Sequence, residues 1–322
     1  MSEKDAHASV EKQDQDSSPY RILSLDGGGS KGFYTLGVLR EIEGLIQKPL
    51  SEHFHLVFGT STGAIIAALI GLGYRISDIE SLYKEHVPAI MKARTPQKKS
   101  AALNALSHQI FQDKTFDEFK TDIGLVAVKW RIETPMIFKN NIHLSYERLG
   151  TFVPGFGCTI ADAVEASCSA FPFFLRKTVR TSEGDAIELV DGGYCANNPT
   201  LYAIAAATVA LKIERQRLRV VNVGVGQYPD PQHSFIFQFI KRLFLGVQLL
   251  QKTMEINTQS MEKLRSILYA DIPSIRISDT FETSDLATSF LEYDLNKLNL
   301  LHQLGRESYA NHEKLLQEIV LR

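Results

Sequence analysis

Phe58-Gly59-Thr60-Ser61-Thr62-Gly63 decides the reading of this chain. An apolar run, His55-Leu56-Val57-Phe58, leads into it, and a longer one at 64–70, Ala-Ile-Ile-Ala-Ala-Leu-Ile, leads out. Such a pattern reads as strand, sharp turn and buried helix. Gly59 and Gly63 flank Ser61 at minus two and plus two, the spacing of a nucleophile elbow. In that turn the strand and helix backbones pass so close that a Cβ at either glycine would clash. The turn presents the Ser61 hydroxyl at a helix N-terminus, where free N–H groups favour developing negative charge. The strand before and the helix after are the context the motif requires. Alone, Gly-x-Ser-x-Gly is common by chance.

Upstream, Tyr20-Arg21-Ile22-Leu23-Ser24-Leu25 reads as a buried first strand. Asp26-Gly27-Gly28-Gly29-Ser30-Lys31-Gly32 follows at once, and residues 33–46 carry apolar positions at helical spacing. Gly27-x-Gly29-x-x-Gly32 also fits a dinucleotide fingerprint. That fingerprint wants an acidic residue at the end of the second strand, about 20 positions on. Glu52 stands before the second strand, whose end holds Ser61. A P-loop fails as well, because Phe33 follows Gly32 where Lys is needed. Successive glycines before a helix instead expose N–H groups as a concave anion site, and beside a reactive serine that is an oxyanion hole.

A serine nucleophile needs a base. Asp191 ends the strand expected at 187–190, and Gly192 and Gly193 let the chain turn away from it. A carboxylate at the end of one parallel strand can face a serine at the end of a neighbouring one. Burial would raise an ordinary Asp, with a pKa of about 3.9, towards a useful base. Asp-Gly-Gly is also a common turn. His233, His302 and His312 follow Asp191 and could complete a Ser–His–Asp set, although none sits in a distinctive loop.

The rest of the chain sets limits. It has 322 residues, 44% hydrophobic and 22% charged, with formal net charge -2, so no global field favours DNA or RNA. Cys158, Cys168 and Cys195 suggest neither disulfides nor zinc, and a reducing, cytoplasmic setting fits. No metal and no cofactor is expected. Residues 1–18 read as a disordered polar tail, not a signal peptide, and 19–322 as one domain. No apolar run is long enough to span a bilayer. Helices are expected at 76–91, stopped near Pro88, at 159–167, 199–212 and 234–268, and at 306–321. Residues 95–100 read as a polar break. Further strands are expected at 125–130, 135–138, 219–224 and 275–277. Strands alternating with helices imply an α/β fold with a mostly parallel central sheet covered on both faces.

Three stretches in this order, Asp26 to Gly32, Gly59 to Gly63 with Thr60 and Thr62, and Asp191-Gly192-Gly193, resemble the patatin-like phospholipases. Ala166-Ser167-Cys168-Ser169-Ala170-Phe171-Pro172 and Asn197-Asn198-Pro199 are similar to further stretches of that family. The resemblance spans residues 20–225. It implies a three-layer α/β/α fold with a helical C-terminal part. It also implies hydrolysis of membrane phospholipid esters by a dyad of Ser61 and Asp191 without histidine, with Gly27 to Gly29 supplying the oxyanion hole. Lys31 stands where the family commonly has Arg, which keeps the charge without the bidentate fork. The compact form resembles phospholipase effectors of cyclic-oligonucleotide anti-phage signalling. That implies a cyclic dinucleotide activator, nucleotide binding, a role in antiviral defence and action on the inner face of the cell membrane. A homodimer is left open, as are a constitutive acyl hydrolase and a catalytically idle lipid- or nucleotide-binding module. The apolar stretch with Phe235, Ile236, Phe237, Phe239, Ile240, Leu243, Phe244 and Leu245 reads first as core packed on the sheet; the functional alternative is that part of it, or the 283–295 segment, covers the active-site mouth or docks on lipid and so provides control.

Overall fold

The computed structural model describes residues 18–146, 149–229 and 241–322, without the side chains of 149 and 241–250. Residues 1–17 of the tail expected at 1–18, His233 and the apolar stretch at 235–240 lie outside the described residues, as do the side chains of Leu243, Phe244 and Leu245.

Eight strands form one sheet: β1 (Tyr20–Leu25), β2 (Leu56–Thr60), β3 (Asp122–Lys129), β4 (Thr134–Lys139), β5 (Lys177–Arg180), β6 (Ala186–Asp191), β7 (Leu218–Val223) and β8 (Ser274–Ile277). Their order is β5-β6-β3-β2-β1-β7-β8, with β4 also paired to β3. From β3 to β8 every neighbour is parallel. β4, β6 and β5 are antiparallel to their partners. The sheet is thus mostly parallel, with an antiparallel flank at the Asp191 end.

Alternation along the strands builds two cores. Leu23, Leu25, Val57, Leu125 and Val221 point to one face. There they meet α1 (Gly32–Ile46), α2 (Thr62–Gly71), α3 (Ile76–Lys92), α4 (Pro96–Phe111), α5 (Ile160–Ser167) and α9 (Leu295–Leu321). Ile22, Leu56, Phe58, Val126 and Val220 point to the other. That face is covered by α6 (Gly193–Ala196) and α7 (Thr200–Ala205), over which α8 (Lys241–Leu268) packs. The layers are α/β/α, and α8 with α9 makes the C-terminal part helical.

Three local expectations are corrected. α3 does not stop near Pro88 but runs through it to Lys92, because burying Val87 and Ile90 outweighs one lost backbone bond. The stretch at 95–100 is a helix start: Thr95 accepts the Lys98 N–H at 3.3 Å, and Pro96 opens α4. The closing helix begins at Leu295, a full eleven residues before 306.

Candidate active site

The elbow has the geometry its glycines imply. Ser61 sits between β2 and α2 at φ 54, ψ -124, a strained conformation for a residue with a side chain. A Cβ on Gly59 would collide with the Gly63 carbonyl, and one on Gly63 with that of Leu25. Neighbouring elements hold the turn. Ser61 N–H donates to Ser167 Oγ at 2.9 Å, and Ser167 Oγ–H donates to Val126 O at 2.6 Å. Thr60 Oγ1–H donates to Ala196 O at 2.7 Å. Thr62 Oγ1 and Tyr83 Oη lie 2.8 Å apart.

The glycine stretch Gly27 to Gly29, with Ser30, Lys31 and Gly32, runs beside Ser61. Gly27 is clamped on both sides: its N–H donates to Asn197 O at 2.9 Å, and Asn197 Nδ2 donates to Gly27 O at 3.2 Å. Asn197 Nδ2 also reaches Thr258 Oγ1 of α8 at 3.0 Å. Ser30 donates its N–H and its hydroxyl to Phe290 O at 2.9 and 3.0 Å. Among the described residues nothing engages the N–H groups of Gly28 and Gly29. Gly29 is at φ +60, and a Cβ there would strike Phe290 O. Lys31 is buried, 3.9 Å from Glu255 and over the Tyr228 ring.

Asp26, at the root of this loop, is buried in a polar network. Arg276 of β8 pairs with its Oδ2 at 2.8 Å, Asn222 Nδ2 donates to its Oδ1 at 2.8 Å, and Arg276 also donates to Asn222 Oδ1. Burial pulls the Arg276 guanidinium down, but the adjacent Asp26 carboxylate outweighs it and keeps Arg276 charged.

Asp191 ends β6 in register with Ala127, on an antiparallel strand rather than the expected parallel one. It is 1% exposed. Gly193 N–H donates to Oδ1 at 2.7 Å, while Oδ2 is buried with no hydrogen-bond partner among the described residues. Burial pushes the carboxyl up to about 6, against the opposing pull of Ser61 and then of the Gly193 N–H. Ser61 is therefore near enough to favour the charged form without meeting Oδ2 in hydrogen-bond geometry. Gly192 passes against Val126 O and Thr60, which locks the Asp191 turn onto the elbow.

Ser61, Asp191, Gly27, Gly28, Gly29 and Lys31 all line one cavity of about 940 Å³. Its depth is apolar, walled by Ile65, Leu69, Tyr83, Val87, Leu103 and Leu106 of α2, α3 and α4. Among the described residues no histidine lines it. His302 bonds Glu80 at 2.8 Å, and His312 bonds Ser308 O at 2.8 Å. The thiols of Cys158, Cys168 and Cys195 are free. Cys168 lines the cavity, and burial, then the Asp191 charge, holds it protonated. No group of His, Cys, Asp and Glu among the described residues could hold a metal ion. No helix there is long and apolar enough to cross a membrane.

Sequence reading missed Ser167, Asn197 and Arg276 as supports, since each acts on a residue far along the chain. It also missed the cavity wall from α4, although Leu103, Leu106 and Ile110 recur at helical spacing.

A fold that sets an elbow serine and a glycine loop at the mouth of an apolar cavity defines a class. A sequence profile of the family described as Patatin-like phospholipase matches residues 23–204, from β1 through the elbow and Asp191 into α7. The chain belongs to that family and is a patatin-like phospholipase. It is 59% identical over 301 residues, 94% of each chain, to the cUMP-AMP-activated phospholipase of Escherichia coli. It is 26% identical to the cGAMP-activated phospholipase of Pseudomonas aeruginosa, over 64% of this chain and 62% of that one. Patatin-like protein 2 of Arabidopsis thaliana is 30% identical over 58% of this chain and 52% of its own.

Proposed function

We propose that residues 19–322 form a lipid acyl hydrolase that releases fatty acids from membrane phospholipid by a Ser61–Asp191 dyad and is switched on by a cyclic dinucleotide. The buried, unpartnered Oδ2 of Asp191 beside Ser61 carries the chemical half of this reading. A carboxylate with a pKa near 6 is ionised at neutral pH yet basic enough to take a proton. Ser61 Oγ attacks the ester carbonyl as its proton passes to Asp191. The oxyanion that forms is held by the N–H groups of Gly28 and Gly29, the two left unengaged, rather than by Gly27. Collapse expels the lysophospholipid alkoxide, which takes the proton from Asp191 and leaves an acyl-Ser61 ester. Water then gives a proton to Asp191 and its oxygen to the acyl carbon, and Ser61 recovers the proton as the fatty acid leaves. The apolar depth of the cavity suits the acyl chain.

The regulatory half rests on the relative that is 59% identical along 94% of the chain. An unrestrained phospholipase would attack its own cell's membrane, so a closed resting state suits an enzyme on the cytoplasmic side. By resemblance the setting is antiviral defence. Moving a 1:99 equilibrium to 99:1 needs about 5.5 kcal/mol of differential affinity, within reach of a ligand with two phosphates. Fatty-acid release from mixed phospholipid vesicles tests the reading, without nucleotide and with cUMP-AMP, cGAMP or cyclic di-GMP. Low basal release, raised tenfold or more by one of the three and absent in Ser61→Ala, is expected. Full release without nucleotide, unchanged by all three, leaves a constitutive hydrolase.

A further inference from the structure

The end of the sheet opposite Ser61 holds a second cavity, of about 630 Å³, between the starts of β7 and β8 and the ends of α8 and α9. Arg219, Arg265 and Arg322 line it, with Glu318 as the acidic residue among its walls. Arg219 and Arg322 have no acidic partner among the described residues. Arg219 Nη1 is instead aimed by the carbonyls of Gln216 and Leu218, at 2.9 and 3.0 Å. Arg219 is also the register partner of Arg21 on β1, and Arg21 Nε donates to Val320 O at 2.9 Å. Like charges side by side on adjacent strands destabilise a sheet. Burial, then the Arg219 charge, lowers the Arg21 guanidinium. Three guanidinium groups line the groove, with Arg21 beside Arg219. Among the described residues only Arg265 of these is ion-paired, to Glu262, and Glu318 is the acidic side chain on the wall. Such a cluster suits an anion carrying more than one phosphate.

The groove is wired to the glycine loop. Arg265 Nε and Nη2 donate to Glu262 Oε1 at 2.9 and 2.7 Å, and Nη1 donates to Ser274 Oγ at 2.6 Å. Glu262 Oε2 is buried without a hydrogen-bond partner among the described residues, and its charge acts on Arg276 and Asp26 at the root of the loop. Seven residues before Arg265, on the same face of α8, Thr258 holds Asn197, which clamps Gly27. A phosphate that draws Arg265 from Glu262 would release Glu262 towards Arg276 and shift both supports of the oxyanion loop.

We infer that this arginine groove is the seat of the cyclic dinucleotide's phosphates. The assignment rests on the activation reading above and adds its place and route. Calorimetric titration of the full chain with cUMP-AMP tests it, beside vesicle hydrolysis and thermal midpoints. Arg219→Ala and Arg322→Ala should each weaken binding about tenfold or more, as the loss of a charge-assisted bond does. Glu262→Gln removes the internal competitor for Arg265 and should tighten it. Arg131→Ala, in an exposed turn elsewhere, should bind like the wild type. Wild-type binding should also weaken with added KCl. Wild-type affinity in all three groove variants, each folded by its thermal midpoint, overturns the assignment, as does a wild type that binds no cyclic dinucleotide. Binding that depends on Arg219 and Arg322 without stimulated hydrolysis supports the site and sinks the activation reading alone.

Discussion

Ser167 Oγ accepts the backbone N–H of Ser61 at 2.9 Å while its own proton goes to Val126 O at 2.6 Å. One buried hydroxyl from the end of α5 therefore ties the strained elbow to β3. The same segment holds Asp191, the proposed base: its N–H donates to Ser169 O at 3.1 Å. Ser167→Ala leaves a donor and an acceptor unmet, at a cost of about 1–3 kcal/mol. We expect a lower thermal midpoint and a fall of tenfold or more in kcat with a small change in KM, since the substrate cavity is untouched. Steady-state kinetics on vesicles decides it. A wild-type kcat would make the contact structural only.

Removing either member of the dyad should abolish hydrolysis. Ser61→Ala, Asp191→Ala and the double variant should be about equally inactive, because groups that act as one unit are not additive. His302→Ala and His312→Ala should keep most activity, as the rings are engaged by Glu80 of α3 and Ser308 of α9. A loss of about a thousandfold from either would instead indicate a triad.

The Asp191 carboxyl, raised to about 6, has opposite consequences for activity and stability. The base must be ionised, so kcat/KM should climb about tenfold per pH unit below 6 and level off above it. For stability the folded pKa exceeds the unfolded value of about 3.9. The folded state therefore holds the proton more tightly, and stability falls as pH rises from about 4 through 6. Above that window the ionised, buried group costs up to about 3 kcal/mol. Asp191→Asn should thus be inactive yet more stable than the wild type at pH 7.5, with the gain gone near pH 4. Equal midpoints at pH 7.5 would contradict it.

Gly28→Ala should cost about 10²–10³ in turnover, the loss expected when an oxyanion donor is displaced. Its Cβ would crowd Val225 at 2.6 Å, so Val225→Ala in the same chain should restore part of the rate. No recovery would mean that the loop responds to something other than Val225. Gly29→Ala is a test of folding instead, because its φ is +60 and backbone stands in the way.

If the acyl chain lies in the cavity as proposed, its wall should limit acyl length. Leu106→Trp narrows the end formed by α4. Each methylene kept out forfeits about 0.8 kcal/mol, or roughly fourfold in kcat/KM. Activity on long-chain lipids should drop relative to shorter ones in a chain-length series. An unchanged ratio would place the acyl chain elsewhere.

The strands, the elbow and the glycine loop were legible because each is a local matter. Alternating apolar residues fix which strand faces are buried, and close backbone approach fixes glycine at 59 and 63 whatever lies beyond. Helix boundaries were less so. Thr95-Pro96 starts a helix and Pro88 fails to stop one, because capping and distant packing outweigh composition. Tertiary structure alone decided the rest. Whether Asp191 meets Ser61 depends on β6 entering antiparallel beside β3, 130 residues after the elbow. Its raised pKa depends on burial by groups from several elements. The Gly27 N–H is taken up by Asn197 O, and Asp26 is held by Arg276, 250 residues away. A sequence states what each residue can do alone. Desolvation, hydrogen-bond partners and the walls of a cavity belong to pairs that only the folded chain brings together.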